Sequence, residues 1–438
     1  MLEFNAPVHG TWNIVHIGMA VPESHQIYVC AVNCMRGVVM TALEMGARDR
    51  FSCVTIEEKD MFSDNLETLT IEGVSEVIER LDKHPRNIMV FTVCVHAFMG
   101  ANLKKIYDEL SKRYPDIDFC RCYMDPIMQK NGPSPDMKLR YAMFEPLVPL
   151  DIKRNTVALL GCDLKMEREQ NDIVACLEDN GFTVMQLQDC KDYDEYLSLG
   201  SAEYFITTFP NAERAIGRTA KRLGRKFMYM PAHLDDEHIK NELKELADMT
   251  GIGDVDVGNG AIAAKTELKR VRELVGDTEI AIDYIAHTEP CGVARLLFEN
   301  GFNVKRIYLD AVAADDKDNE KWIRENGSGI EFIPTITPET RVAEKGDGRA
   351  LAIGPKAAWA EDTKHFVNII EGGGLFGYRG IIALARLIED AYINEKDTHD
   401  IVPRKAVGLM SCCSTPDWSQ IPFEVAKQRD YGIGPERT

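Results

Sequence analysis

Basic residues are in short supply in this chain: 51 Lys and Arg against 70 Asp and Glu leave a formal charge of −19 and a pI near 5.1. Nucleic-acid binding depends on a basic patch or stripe that displaces counterions from phosphates, so nucleic acid is not an expected partner. Long hydrophobic runs are missing too. The most apolar stretch, Asn87 to Ala101, falls short of the roughly 20 residues that a helix needs to cross a bilayer, and it contains His96. The first residues, MLEFNAPVHGTWNIV, have neither the basic region nor the apolar run of a secretory signal. A cytoplasmic protein with no membrane partner is the expectation. Nucleotide fingerprints are also absent. No G-x-G-x-x-G follows the first strand pattern of any unit, and Asn259 to Thr266, NGAIAAKT, keeps only the closing Lys-Thr of a P-loop. If ATP is used, another protein binds it.

What the chain does have is length and a regular alternation of patterns. With 438 residues, 45% of them hydrophobic, it exceeds one ordinary core, and at about 100 to 200 residues per domain three units fit best. Apolar, β-branched runs alternate with amphipathic helical stretches, the signature of parallel α/β layers. In the first unit, residues 1–150, strands are predicted at Trp12 to Ile17, Gln26 to Ala31, Phe51 to Ile56, Asn87 to Val95 and Asp118 to Tyr123, with helices at Leu66 to Lys83 and Asn102 to Arg113. Pro146 and Pro149 close it. The second unit, 151–260, opens at Asn155 to Leu160 and ends in the Gly-rich segment GIGDVDVGNG, Gly251 to Gly260, which reads as a hinge. The third, 261–438, carries strand patterns at Glu279 to Ile285, Val304 to Tyr308, Ile330 to Ile333 and Ala350 to Ile353, then a Gly-rich loop before the helix Gly380 to Tyr392.

Twelve cysteines in a cytoplasmic chain do not imply a disulfide framework; they are buried small hydrophobes or metal ligands. Cys162, Cys176, Cys190 and Cys291 suit packing, as do the strand pair Cys120 and Cys122 and the vicinal pair Cys412-Cys413. Cys30, in YVCAVNCMRGVV, and Cys94, in MVFTVCVHAFMGANL, differ from these. Each ends a buried-strand pattern and precedes a Gly-containing turn and a helical pattern, which places both thiols at strand C-termini, where open α/β sheets carry their chemistry. Cys34, four residues after Cys30, and Cys53, near the end of its own strand, can add to the set. Thiolates are the usual ligands of iron–sulfur clusters, with hydrogen bonds and burial setting the potential. His96, two residues beyond Cys94, and His25, before the Cys30 strand, are candidate proton donors, although a structural histidine reads as well at either place. Tyr123 and Arg140 flank the Pro/Gly loop that ends the first unit and are candidates to face a cleft.

Three pieces in order carry a family resemblance. Cys30-Ala31 through Gly37-Val38-Val39 matches a C-A-x-x-x-x-x-G-V-V stretch, Glu58-Lys59-Asp60 matches an E-K-D segment, and Cys94 with Gly100 matches C-x-x-x-x-x-G-x-D, Asn102 standing where an acid is common. In these pieces, and in the loop Gly372-Gly373-Gly374-Leu375-Phe376-Gly377-Tyr378-Arg379-Gly380, the chain resembles the nitrogenase component 1 type oxidoreductases, a superfamily that includes light-independent protochlorophyllide reductase. The resemblance implies three Rossmann-like parallel-sheet domains around a central cleft. It also implies an iron–sulfur cluster, [4Fe-4S] or larger, on Cys30 and Cys94, and a separate ATP-hydrolysing iron–sulfur reductase as electron donor. The family's large catalytic cofactor takes a Cys and a His at places that here read Pro210-Asn211 and Leu375-Phe376, so it is not expected in that form. A His-Gly-Pro-x-Gly-Cys segment is missing as well; His16-Ile17-Gly18 matches only its start. Two or three thiolates do not close a four-cysteine site. The expected cluster therefore lies at a contact with a second copy or a paralogous subunit, completed by that chain or by a carboxylate such as Glu57, Glu58 or Asp60. Three readings remain open: a reductase subunit, a cluster-assembly scaffold without turnover, and a metal-free ligand-binding protein.

Overall fold

The computed structural model describes residues 14–44, 46–62, 65–124, 133–253, 258–335, 337 and 343–396. The tail Gln428 to Thr438, Cys412-Cys413 and parts of the loop Met128 to Asp136 and of the Gly251 to Gly260 segment fall outside them.

Three all-parallel sheets follow one another along the chain. The first holds β1 (Ser24–Cys30), β2 (Phe51–Thr55), β3 (Asn87–Val93) and β4 (Asp118–Met124) in the order β2-β1-β3-β4. In the second, β5 (Lys153–Leu159), β6 (Thr183–Gln186), β7 (Ala202–Thr207) and β8 (Lys226–Tyr229) run β6-β5-β7-β8. The third has β9 (Glu279–Asp283), β10 (Asn303–Tyr308), β11 (Glu331–Ile333), β12 (Leu351–Ile353) and β13 (Phe366–Val367), ordered β11-β10-β9-β12-β13. Helices connect the strands, as parallel pairing requires. In each sheet the strand order reverses beside the first strand, leaving a crevice at the strand C-termini between β1 and β3, β5 and β7, and β9 and β12. Both β1 and β3 are buried along their whole length, which accounts for their unbroken apolar runs.

The middle sheet joins the other two. Ala158, Leu160 and Phe205 pack in one hydrophobic core with the first sheet, whereas Val157, Leu159, Tyr204 and Ile206 pack in another with the third. Neighbouring residues on β5 and β7 thus serve opposite cores, the two-residue period of a strand buried on both faces.

Two predicted elements differ. The run expected as a strand over Trp12 to Ile17 is, over its described part, the helix Ile14–Met19; its buried Ile14, Val15 and Ile17 satisfy a short helix against the core as well as they would a strand. The strand expected to reach Val95 stops at Val93, and a short helix, Cys94–Phe98, begins there.

A charged seam closes the second and third layers. His233 Nδ1 lies 2.6 Å from Glu289 Oε1, and His233 Nε2 lies 3.8 Å from Glu242, both of whose carboxyl oxygens are buried without a hydrogen bond. Burial, with Glu289, Asp235 and Glu245 adding to it against the opposing charge of His233, raises Glu242 to about 8. Burial opposes a charged His233, but the hydrogen bond and charge of Glu289, with Glu242 and Asp235, lift it to about 9. Both groups hold protons more tightly folded than unfolded, so their linkage contribution to stability declines as pH rises, from 4.5 through about 8 for Glu242 and from 6.5 through about 9 for His233. Urea unfolding should therefore give a midpoint that falls between pH 6.5 and 9, and Glu242→Gln, which cannot ionise, should flatten that slope.

Candidate functional site

The crevice of the first sheet is built by β1 and β3. Cys30 ends β1, fully buried, with its carbonyl accepting from Ile56 N at 3.0 Å, and Cys94 follows the last residue of β3, half-buried. The helix Val32–Glu44 starts two residues after Cys30 and carries Cys34 exposed in its first turn. Cys53 pairs in register with Tyr28, so it stands two residues, about 7 Å, behind the level of Cys30. These thiols sense one another. Burial first, then Cys53 and Cys34, push the Cys30 thiol far above its ordinary value; burial and Cys94 raise Cys34, and burial alone lifts Cys53 to about 12. Cys30, Cys34 and Cys94 thus share one sheet edge, while Cys53 belongs to the row beneath. Among the described residues no three His, Cys, Asp or Glu side chains are already gathered as a metal-ion site. As a donor set the edge fits a thiolate-ligated group only when ligands from elsewhere complete it.

Neither histidine faces that edge. His96 lies on the helix Cys94–Phe98, where two residues correspond to about 200° of rotation, so the shared strand face expected for Cys94 and His96 does not exist. Its Nδ1 accepts from Val93 N at 3.2 Å; its Nε2 lies 3.1 Å from Thr70 Oγ1, whose own hydrogen is donated to Leu66 O at 2.7 Å. Both ring nitrogens are spent, and burial, partly offset by the Val93 bond, lowers the pKa to about 4. His25 sits at the other end of β1, five residues or about 16 Å from Cys30, bonded to Ser52 Oγ at 2.8 Å. Burial and Arg50 lower it to about 4 as well. Both histidines are thus hydrogen-bonded within the first layer.

Among the acids beside β2, Asp60 accepts from Glu57 N at 2.8 Å and Glu57 pairs with Lys59 at 2.6 Å, leaving Glu58 as the exposed carboxylate of the E-K-D segment. Cys120 and Cys122 are fully buried, and Cys120 accepts from Asn87 at 3.2 Å. Cys176 and Cys291 are buried too, and Cys162 and Cys190 partly so. Tyr123 lies under the Lys138 ammonium, 5.2 Å from ring centre to nitrogen.

The second crevice holds a group of side chains that motif reading largely missed. Arg140, 2% exposed, reaches from the helix Pro135–Met143 to bond Gly161 O at 2.5 Å and Asp163 at 2.9 and 3.0 Å, its guanidinium 4.7 Å from the Phe209 ring centre. Asp136, from the same helix, bonds Ser134 Oγ and accepts from Asn211 Nδ2 at 2.9 Å. Glu371, at the start of the Gly-rich loop, completes the group electrostatically. These residues come from all three layers and include Asn211 of the Pro210-Asn211 pair. Only Arg140 had a sequence signal, its place beside the Pro/Gly loop; the others are single polar residues at strand and loop ends, legible only after folding. The third crevice is filled by the chain itself: Asp283 accepts from the N–H groups of Ile285, Ala286, Lys356 and Ala357 at 2.7 to 3.1 Å.

Three successive doubly wound parallel layers, with thiols at the first crevice, define a Rossmann-like α/β architecture. The family model "Nitrogenase component 1 type Oxidoreductase" matches residues 17–391, and the chain belongs to that family. Solved structures agree in fold. "Nitrogenase Cp1 at pH 6.5" superposes with a TM-score of 0.64 at 10% identity, over 88% of this chain and 92% of that one. "Nitrogenase Cp1 at pH 5" gives 0.53 at 12% identity, over 92% and 90%. Among curated proteins none matches. No described helix is long and apolar enough to cross a membrane.

Accessibility separates the thiols. Among the described cysteines of the metal-free chain, alkylation under native conditions followed by mass spectrometry should label the exposed Cys34 first, the partly buried Cys53, Cys94, Cys162 and Cys190 more slowly, and Cys30, Cys120, Cys122, Cys176 and Cys291 only on unfolding.

Proposed function

We propose that this chain is a nitrogenase-like reductase subunit that holds an iron–sulfur cluster at the first crevice and relays low-potential electrons to a substrate. The observation that carries the reading is the placement of Cys30, Cys34 and Cys94 on one sheet edge at a topological switch point. Cys30 and Cys94 are the proposed ligands, Cys34 the nearest addition, and Cys53 a thiol of the row behind. The cluster would supply one-electron chemistry. The chain's own part is to fix the ligand positions on rigid strand ends, exclude water through the buried Cys30 side and leave the Cys34 side open to a donor. Burial and mutual repulsion disfavour the thiolate forms of Cys30 and Cys34, so holding a cluster there would require these residues to give up their protons to the solvent.

The incomplete ligand set points to a second subunit. Around the open side, Val32 is 66%, Phe98 61% and Met99 42% exposed, an apolar rim beside the exposed Cys34. A second copy or a paralogous subunit seated on this rim would cover it and furnish the missing ligands. The described residues include no recognised nucleotide fingerprint, and a separate ATP-hydrolysing iron–sulfur protein is the proposed donor, docking transiently over the first layer in the cytoplasm. We take the working units as residues 1–150, 151–260 and 261–438. The exposure of Cys34 also favours a second reading, a scaffold that assembles a cluster and passes it on, since a transfer site needs one accessible side. Electron transfer from the ATP-dependent donor to the loaded protein, followed by cluster oxidation state, separates the two: a scaffold would release its cluster rather than cycle it.

Anaerobically purified protein should be brown and contain iron and acid-labile sulfide, and Cys30→Ser or Cys94→Ser should lose or destabilise the cluster. Full occupancy in both variants would end the proposal. Phe98→Asp, which puts a charge on the exposed rim without touching a thiol, should give a monomer with much less bound iron by size exclusion and iron analysis; a monomer that keeps its full cluster would reject the interface.

A further inference from the structure

The end of the middle sheet away from its crevice carries a basic face in an acidic protein. On the helix Pro210–Leu223, Arg214, Arg218, Lys221 and Arg222 are all exposed and stand at i, i+4, i+7 and i+8, one stripe of the helix; Arg225 follows just before β8. No carboxylate answers them. Among the described residues none of the five is in an ion pair, although acids outnumber bases by 70 to 51 in the chain and other arginines, Arg113, Arg168 and Arg270, each hold two carboxylates.

Two of these cations hold an apolar ridge in place. Residues 147–152 join the first and second layers without helix or strand, and within them Val148 is 50%, Leu150 40% and Ile152 51% exposed. Arg222 donates to Phe144 O at 2.8 Å and to Leu147 O at 2.6 Å, and Arg225 donates to Leu150 O at 2.5 Å and to Gly200 O at 2.8 Å. Gly200 lets the connection lie close, since a Cβ there would come within 2.6 Å of Val148 O. Carbonyls are dipoles, so they leave both guanidinium charges uncompensated. Arg218 stands over the Tyr141 ring, 5.7 Å from its centre, and the connection runs on into the exposed Lys153 and Arg154 at the start of β5. A loose linker would expose its apolar side chains at random; this one is pinned at several carbonyls and presents them in a fixed pattern, the preorganisation that lowers the cost of binding.

We propose that this face is a docking surface for an acidic segment of a partner protein, whose apolar side chains cover Val148, Leu150 and Ile152 while its carboxylates pair with Arg214, Arg218 and Lys221. An apolar centre inside a charged rim is the anatomy of a protein–protein interface. Nucleic acid and anionic membranes fit less well, because phosphate makes no use of the ridge and would be brought against Glu145 and Asp151, both exposed beside it. The chain's own residues after Lys396 carry six acids and five bases, too balanced to supply the complement. The face is formed at the strand N-termini of the middle sheet and by none of the thiol-bearing elements of the first layer, so a partner here does not depend on the cluster reading.

The test uses the full chain and a fluorescein-labelled synthetic peptide in which Glu and Leu alternate, with an all-Glu peptide, a Lys/Leu peptide, a single-stranded oligonucleotide and phosphatidylserine vesicles beside it. The Glu/Leu peptide should bind, the all-Glu peptide more weakly and the Lys/Leu peptide not at all. Its affinity should fall several-fold when salt rises from about 50 to about 500 mM, since exposed charges are screened beyond a Debye length. Arg218→Glu together with Lys221→Glu should weaken binding by about tenfold or more, because two attractions become repulsions. Leu150→Ser together with Ile152→Ser should weaken it several-fold and leave the salt dependence in place. All four side chains are exposed, so both variants should unfold at the wild-type urea midpoint, and the peptide should slow hydrogen exchange in residues 147–154 and 210–223. No binding of the Glu/Leu peptide, binding indifferent to both variants, or tighter binding of the oligonucleotide or the vesicles would overturn the proposal. Salt-sensitive self-association that Arg218→Glu with Lys221→Glu abolishes would overturn it too, by assigning the face to a second copy.

Discussion

Everything in this fold depends on the middle sheet being buried on both faces. Along the buried stretches of β5, Thr156 to Leu159, and β7, Tyr204 to Thr207, hydrophobic residues alternate between two cores, so none of these can turn to water without opening one core or the other. Each buried Val, Leu or Ile contributes about 1.5–3 kcal/mol, and a one-residue slip would exchange the two faces at once. The three layers are in that sense one packed body, and the positions of the outer crevices relative to the central one are fixed by side-chain interdigitation rather than by linkers.

The same winding repeated three times gives three crevices, which the chain treats differently. The first is lined by thiols and left open on its Cys34 side, the second gathers charges from all three layers, and the third is plugged by Asp283. The plug has a clear physical basis. Four backbone N–H groups point at the place where an anionic ligand would sit in an open sheet, and a carboxylate from β9 satisfies them; burial still raises Asp283 to about 6, so even with those bonds the charge is held at some cost. A chain with this architecture keeps chemistry only where it does not fill the crevice itself.

Desolvation is the shared currency of the functional residues. It disfavours the thiolate forms of Cys30 and Cys53, lowers His25 and His96 toward their neutral forms, and raises the Glu371 carboxyl. Where a counter-charge lies close, as Glu289 does for His233, the same burial is overruled.

The α/β class, the alternation of strands and helices and the strand-end position of Cys30 were all legible from pattern, because period-2 burial and Gly-containing turns are local properties. The Cys94 frame marked the end of β3 to within two residues, yet that small displacement moved His96 off the expected face, since a helix rotates side chains by 100° per residue where a strand alternates them. The strand expected before Ile17 failed for the related reason that a short apolar run fits either period. The meeting of Arg140, Asp163, Asn211 and Glu371 had no pattern to announce it. Those residues lie up to more than two hundred positions apart and are joined only by the packing of three sheets, so the sequence by itself determined the layers and the thiol edge, and only the tertiary structure decided which polar residues face one another across them.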